Sequence, residues 1–268
     1  MSENEVRKII IAFLVFFALF LANLFVPVFA GIGVTSRMWL VLDVCVTAIA
    51  VVLLIKNGLP SNRRILLSCM FGLLMFVAYR GFNFSSVKGF LTTALCASAS
   101  FSVFGKYPDN AVPVVKDERF LSVPASILIG FGVGGVLGVI NLFLGGQPLD
   151  FHFTLACVLT ALSPAILEEV CYRLLIFAFC LYLLKGEVRS KSENFWCYFM
   201  MIIPHVMIHT PDVFLATDLI SGVVNILILS LLFGLPFALL QRKRDLASAM
   251  IAHGTVDVIR FAFMGLPF

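Results

Sequence analysis

Charge is scarce in this chain: 13% of its 268 residues are Asp, Glu, Lys or Arg, whereas 61% are hydrophobic. A soluble domain carries about 25% charged and about 45–50% apolar residues. With a mean hydropathy of +1.05, the deficit excludes a soluble globular enzyme and a disordered chain. Paired cysteines are missing as well. The seven cysteines are scattered through apolar runs with no CxxC, which excludes a disulfide-stapled module and points to packed thiols. No HExxH and no internal repeat occurs. The small net charge of +4 collects in loops, so no nucleic-acid partner is expected.

What the chain does have is long apolar runs. A bilayer core of about 30 Å needs roughly 20 apolar residues per helix. Candidate spans are residues 9–34, 38–55, 65–79, 89–105, 121–143, 153–184, 195–209, 219–240 and 246–266. Two of them, 65–79 and 195–209, are short. The expected fold is therefore all-α, a polytopic transmembrane helical bundle of eight or nine spans. The first run is much longer than the roughly 7–15 residues of a signal-peptide core, so it reads as an uncleaved span.

Lys and Arg gather in cytoplasmic loops. With the N-terminus inside, 14 basic residues fall there: Arg7, Lys8, Lys56, Arg63, Arg64, Lys106, Lys116, Arg119, Lys185, Arg189, Lys191, Arg242, Lys243 and Arg244. The outer loops hold Arg37, Arg80 and Lys88. Residues 106–120, the longest polar stretch, read as a cytoplasmic connector. It closes an N-terminal part of transmembrane helices and connector (1–120) and precedes a C-terminal transmembrane domain (121–268). In the first half Asp43 is the exceptional charge, near a span end where it reaches the interface. Gly130, Gly134 and Gly138, four apart, predict close approach of a neighbouring helix.

The second half buries Glu168, Glu169, Arg173, His205, His209, His253, Asp257 and Arg260 in its spans. Each charge at a bilayer centre costs at least about 2.5–3.5 kcal/mol, so the group needs a joint explanation, either mutual pairing or a conical or cleft-like polar cavity. Residues four apart share a helix face, so Glu169 lies over Arg173 and the two neutralise each other. Glu168, about 100° around the helix, is left to face other helices. His205 and His209, and His253 and Asp257, are also four apart. A carboxylate with imidazoles can hold a water, accept its proton and deliver it to a leaving amine. A second imidazole can donate to the oxyanion.

Glu168-Glu169-Val-Cys-Tyr-Arg173 resembles the EExxxR motif of the CAAX protease and bacteriocin-processing (CPBP) intramembrane proteases, which include the type II CAAX prenyl endopeptidases. His209 before Thr-Pro-Asp resembles the second motif of that family. The stretch from Gly234 through a basic turn to His253 and Asp257 resembles the third, a helix carrying HxxxN. The resemblance implies a glutamic-type intramembrane endopeptidase without a cofactor. Glu168 with His209 would activate water, and His253 with Asp257 would stabilise the oxyanion. Glu169, Arg173 and His205 would support them. It further implies a peptide or membrane-protein substrate, lipidated or not, membrane lipids as partners, and residence in a prokaryotic plasma (inner) membrane.

Two departures stand out. His205 occupies the place of a family phenylalanine, so either His205 or His209 is the motif histidine. Asp257 stands where the family has Asn, and an ionised Asp accepts hydrogen bonds only. It is protonated, orients His253, or pairs with Arg260. The topology also puts His209 near the outer end of its span, above Glu168 and His253, unless the helix breaks at Pro204 or Pro211. Two rivals remain: a zinc metallopeptidase ligated by Glu168, His209 and His253, and a membrane immunity, chaperone or transport component. Under the hydrolytic reading, Asp257→Asn retains cleavage of a membrane-peptide panel while His253→Ala abolishes it. An inactive Asn variant would show that the carboxylate itself is required.

Overall fold

Helices account for every regular element among the described residues, as a chain so rich in apolar runs requires. In lipid each backbone N–H and C=O must be satisfied within its own segment. The structure, a computed structural model, describes residues 2–26, 32–116, 121–146 and 150–266. Part of the first expected span (27–31) and the end of the connector, with Arg119 and the boundary at 120, lie outside them.

The helices are α1 (Ser2–Phe25), α2 (Val34–Asn57), α3 (Asn62–Ala78), α4 (Phe84–Lys106), α5 (Ser122–Gly145) and α6 (Leu155–Ser163). They continue as α7 (Leu175–Leu183), α8 (Lys191–Met207), α9 (Pro211–Ala216), α10 (Leu219–Leu229), α11 (Leu235–Lys243) and α12 (Leu246–Met264). Among the described residues, six helical runs are long and apolar enough to cross a membrane: α1, α2, α4, α5, the α10–α11 run and α12. The other three expected spans, at α3, α6–α7 and α8, are short or carry charge. The protein is thus an all-helical integral membrane protein, and any count above six rests on those three segments.

Two π-helical segments interrupt the α geometry. Pro164–Leu174 joins α6 to α7, and Ser230–Gly234 joins α10 to α11. A helical proline lacks its N–H and clashes with the carbonyl four residues back. Pro164 opens the first segment and Pro236 follows the second, so a wider turn accommodates each ring without breaking the helix. The first segment carries Glu168, Glu169 and Arg173.

One apolar core spans both halves. Phe16 and Phe20 of α1, Met38 and Val46 of α2 and Phe104 of α4 pack with Phe177 and Leu181 of α7 and Met201 of α8. The connector is also tied down. Leu246 and Ala247 donate their backbone N–H groups to the carbonyls of Pro113 and Val114 at 3.0 and 2.9 Å. Those donors would otherwise be orphaned at the start of α12. Asp245 caps the same helix, accepting from Ser248 N at 2.8 Å, Ser126 Oγ at 2.6 Å and Lys116 N at 3.0 Å.

The glycine stripe of α5 receives α12. A Cβ on Gly130 would meet Ile251 Cβ at 2.7 Å, on Gly134 the Ala252 carbonyl oxygen at 2.5 Å, and on Gly138 Ile259 Cδ1 at 2.6 Å. The expected close approach is present, and the helix that it seats carries His253 and Asp257. Gly134→Ala should destabilise the protein by about 1–3 kcal/mol through this overpacking. A Cβ on Gly132 meets nothing within 4 Å, so Gly132→Ala gains up to about 1 kcal/mol of helix propensity. Unfolding in detergent checks both signs, and equal behaviour of the two variants would contradict the packing account.

Candidate active site

Glu169 lies at the centre of the polar cluster and is 0% exposed. Its Oε1 pairs with Arg173 Nη1 within the same helix, as the four-residue spacing predicts. The same oxygen is 2.8 Å from His253 Nδ1 on α12. Gln241 of α11 donates Nε2 to the Glu169 backbone carbonyl at 3.0 Å and approaches Oε2 at 3.5 Å. A guanidinium, an imidazole and an amide thus converge on one carboxylate from three helical segments. Phe237 completes the clamp: its ring stacks on His253 at 4.7 Å and 12°, and the Arg173 guanidinium lies over it at 5.3 Å.

Glu168 points elsewhere, as its rotation around the helix requires. Its Oε2 is 2.7 Å from His205 Nε2 on α8 and 3.6 Å from His253 Nε2. His209 reaches His205, Nε2 to Nε2, at 3.4 Å. Of the two candidate motif histidines, His205 is in direct contact with Glu168, whereas His209 is the exposed one. The helix does break between His205 and Pro211. α8 ends at Met207, and Thr210 folds its hydroxyl back onto the Met207 carbonyl at 2.8 Å. Across this break, ligand atoms of His209 and Glu168 lie within 4.8 Å of each other. Trp39 packs edge-on against His209 at 4.9 Å and against His205 at 6.2 Å.

Asp257 makes no hydrogen bond among the described residues. His253 Nε2 is 3.6 Å away and Arg260 Nη1 is 4.0 Å away, both beyond hydrogen-bond distance. Glu169, not Asp257, is the carboxylate that holds the His253 ring. Because that carboxylate accepts from Nδ1–H, Nε2 is the nitrogen turned toward Glu168 and Asp257. It is a donor only in the doubly protonated ring.

All these groups except Glu169, Gln241 and Thr210 line a cavity of about 1070 Å³. Arg80, Lys88 and Arg260 line the same cavity from the end of α3, the start of α4 and the later part of α12. Asp43 lines it too, and here the sequence reading needs correction. Asp43 does not simply reach the interface: it is buried, accepts from Tyr172 Oη at 2.6 Å and pairs with Lys88 Nζ at 2.7 Å. Both partners are distant in sequence, so no local spacing announces them. Gln241, Phe237 and Trp39 were likewise missed.

The cysteines are as expected: all seven are free, and five are buried.

Residues 150–259 match the family model described as "Type II CAAX prenyl endopeptidase Rce1-like". The match covers less than half of the 268 residues and holds every motif residue from Glu168 to Asp257. It bears out the CAAX protease resemblance over that segment. No curated protein and no solved structure matches the chain.

Tyr172→Phe removes the hydroxyl from a buried carboxylate and should cost about 1.5–3 kcal/mol, the range for hydrogen bonds to charged groups, read by unfolding in detergent. Unchanged stability would return Asp43 to the interface role.

Proposed function

Taking the type II CAAX prenyl endopeptidase match as the premise, we propose that the protein is a glutamic-type intramembrane endopeptidase that hydrolyses a peptide bond within its cavity. At the level of the family, the activity is that of a CAAX-type intramembrane endopeptidase. The observation that carries the finer reading is the placement of Glu168 on the cavity wall, 2.7 Å from His205 and 3.6 Å from His253.

In this reading Glu168 accepts a proton from a water held between it and His209. The hydroxide attacks the scissile carbonyl carbon, and the tetrahedral oxyanion receives a hydrogen bond from His253 Nε2–H. Glu168 then passes the proton to the leaving nitrogen as the C–N bond breaks, giving a carboxylic acid and an amine. General acid–base transfer contributes about 10²–10⁴-fold, and a preorganised oxyanion donor about 10²–10³-fold. His205 is a positioning residue that fixes the Glu168 carboxylate. Glu169, Arg173 and Phe237 position His253. Asp257 adds negative charge beside the imidazolium.

The substrate is a membrane-associated peptide or protein, lipidated or not. Arg80, Lys88 and Arg260 belong to helix ends that the loop-charge asymmetry assigns to the outer side, and the substrate enters there. Residues 121–268 form the catalytic part, residues 1–120 brace it, and the membrane is a prokaryotic plasma membrane.

The test is cleavage of a peptide and membrane-protein panel by wild type and Glu168→Gln, each with and without a strong chelator. Glu168→Gln should lower the rate by about 10²–10⁴-fold, and chelation should not diminish wild-type cleavage. Full activity in the Gln variant would overturn the assignment of the base. Activity lost on chelation and regained with zinc would favour the metallopeptidase.

A further inference from the structure

Three donors on the cavity wall converge more closely than water activation needs. One ligand atom each from Glu168, His205 and His209 lies within 4.8 Å of the others. Glu168 Oε2 and His205 Nε2 are 2.7 Å apart, and His205 Nε2 and His209 Nε2 are 3.4 Å apart. In a tetrahedral zinc site with ligands at about 2.0–2.1 Å, neighbouring donors are separated by roughly 3.3 Å. Side-chain adjustments of roughly an ångström therefore suffice to place a cation among them. The set differs from the one weighed from sequence alone, with His205 in place of His253. His253 Nε2 stands 3.6 Å from Glu168 Oε2 and falls outside the three-donor group.

The supports are already in place. Glu168 sits on the π-helical segment, His205 on α8, and His209 in the break that follows. Trp39 packs against the edges of both rings. His209 is exposed, which leaves the fourth coordination position open to the cavity. Two imidazoles and one carboxylate suit zinc and its transition-metal neighbours rather than Mg²⁺ or Ca²⁺. One feature separates this set from a resident cofactor site. A ligating histidine almost always gives its second ring nitrogen to a partner, whereas His205 Nδ1 is buried with none among the described residues.

We infer that Glu168, His205 and His209 form an inhibitory site for a zinc-class divalent cation, created by the histidine at position 205. A bound cation occupies the Glu168 lone pair that must accept the proton of water, so loading stops hydrolysis and chelation restores it. The inhibitory consequence rests on the proposed role of Glu168; the binding does not.

The experiment uses the full chain, purified in detergent and stripped with a chelator. Co²⁺ is titrated by visible absorption and Zn²⁺ by calorimetry, and peptide cleavage is followed over the same zinc range. One equivalent with a four-coordinate Co²⁺ spectrum is expected for wild type. His205→Phe and His209→Ala should each weaken binding at least 10-fold. His152→Ala should not, since that exposed ring pairs with Asp150 away from the site. Wild-type cleavage should fall with the midpoint of zinc binding and recover on chelation. If His205→Phe unfolds, His205→Gln reads the same loss. Absence of stoichiometric binding, or undiminished binding in both position-205 variants, overturns the site. Cleavage that rises with zinc overturns the inhibition and makes the ion a cofactor. Stoichiometric binding by a wild type that cleaves nothing supports the site, while the hydrolytic reading and the inhibition both fall.

Discussion

The Glu169 carboxylate, fully buried between Arg173 and His253, is the contact on which the arrangement of the site depends. Water cannot screen a charge at that depth, and an isolated ion there costs several kcal/mol even after relaxation. The pairing within one helix turn makes the charge tolerable. The second contact, to His253 at 2.8 Å, locks α12 against the π-helical segment. Orientation of His253 and rotation of Glu168 into the cavity then follow from one structural fact. Glu169 takes the inward direction, and its neighbour must take another.

The backbone around this contact is shaped to let the helices meet. The glycines of α5 let α12 approach to within a Cβ's width. On its other side Gly254 leaves room for Ala165, whose Cβ would lie 3.2 Å from an added Cβ. The break after Met207 turns His209 into the cavity instead of leaving it on the outward continuation of α8. Small residues, prolines and one helix break therefore do the positioning, and the ionisable groups occupy the places so made. The same convergence that serves proton transfer also brings two imidazoles and a carboxylate within reach of a single cation.

Much of this was legible in the sequence where the interaction is local or periodic. The Glu169–Arg173 pair follows from a spacing of four, the glycine stripe from its own period, and the all-helical membrane fold from the shortage of charge. What was not legible depends on partners far along the chain. Asp43 read as an interface residue because nothing near it in sequence reveals Tyr172 and Lys88. For Asp257 three roles stay open in the sequence, whereas the short contact to His253 Nδ1 comes from Glu169, 84 residues earlier, which no local spacing reveals. The π-helical segments have a signal in Pro164 and Pro236, but a proline in an apolar run announces a kink or an end as readily as a widened turn. His209 reads as the motif histidine from the Thr-Pro-Asp that follows it, but a short break after Met207 decides which ring touches Glu168, and that ring is His205.

The most direct test of the account is a double-mutant cycle at the buried pair, read by unfolding in detergent. Glu169→Gln and Arg173→Gln should each cost about 3–5 kcal/mol, because each leaves its partner charged and unmatched. The double variant should be more stable than the sum of the two losses requires, with most of the penalty of an unpaired charge relieved. Simple additivity, or single variants that lose almost nothing, would show that the Glu169 carboxylate does not hold the site together.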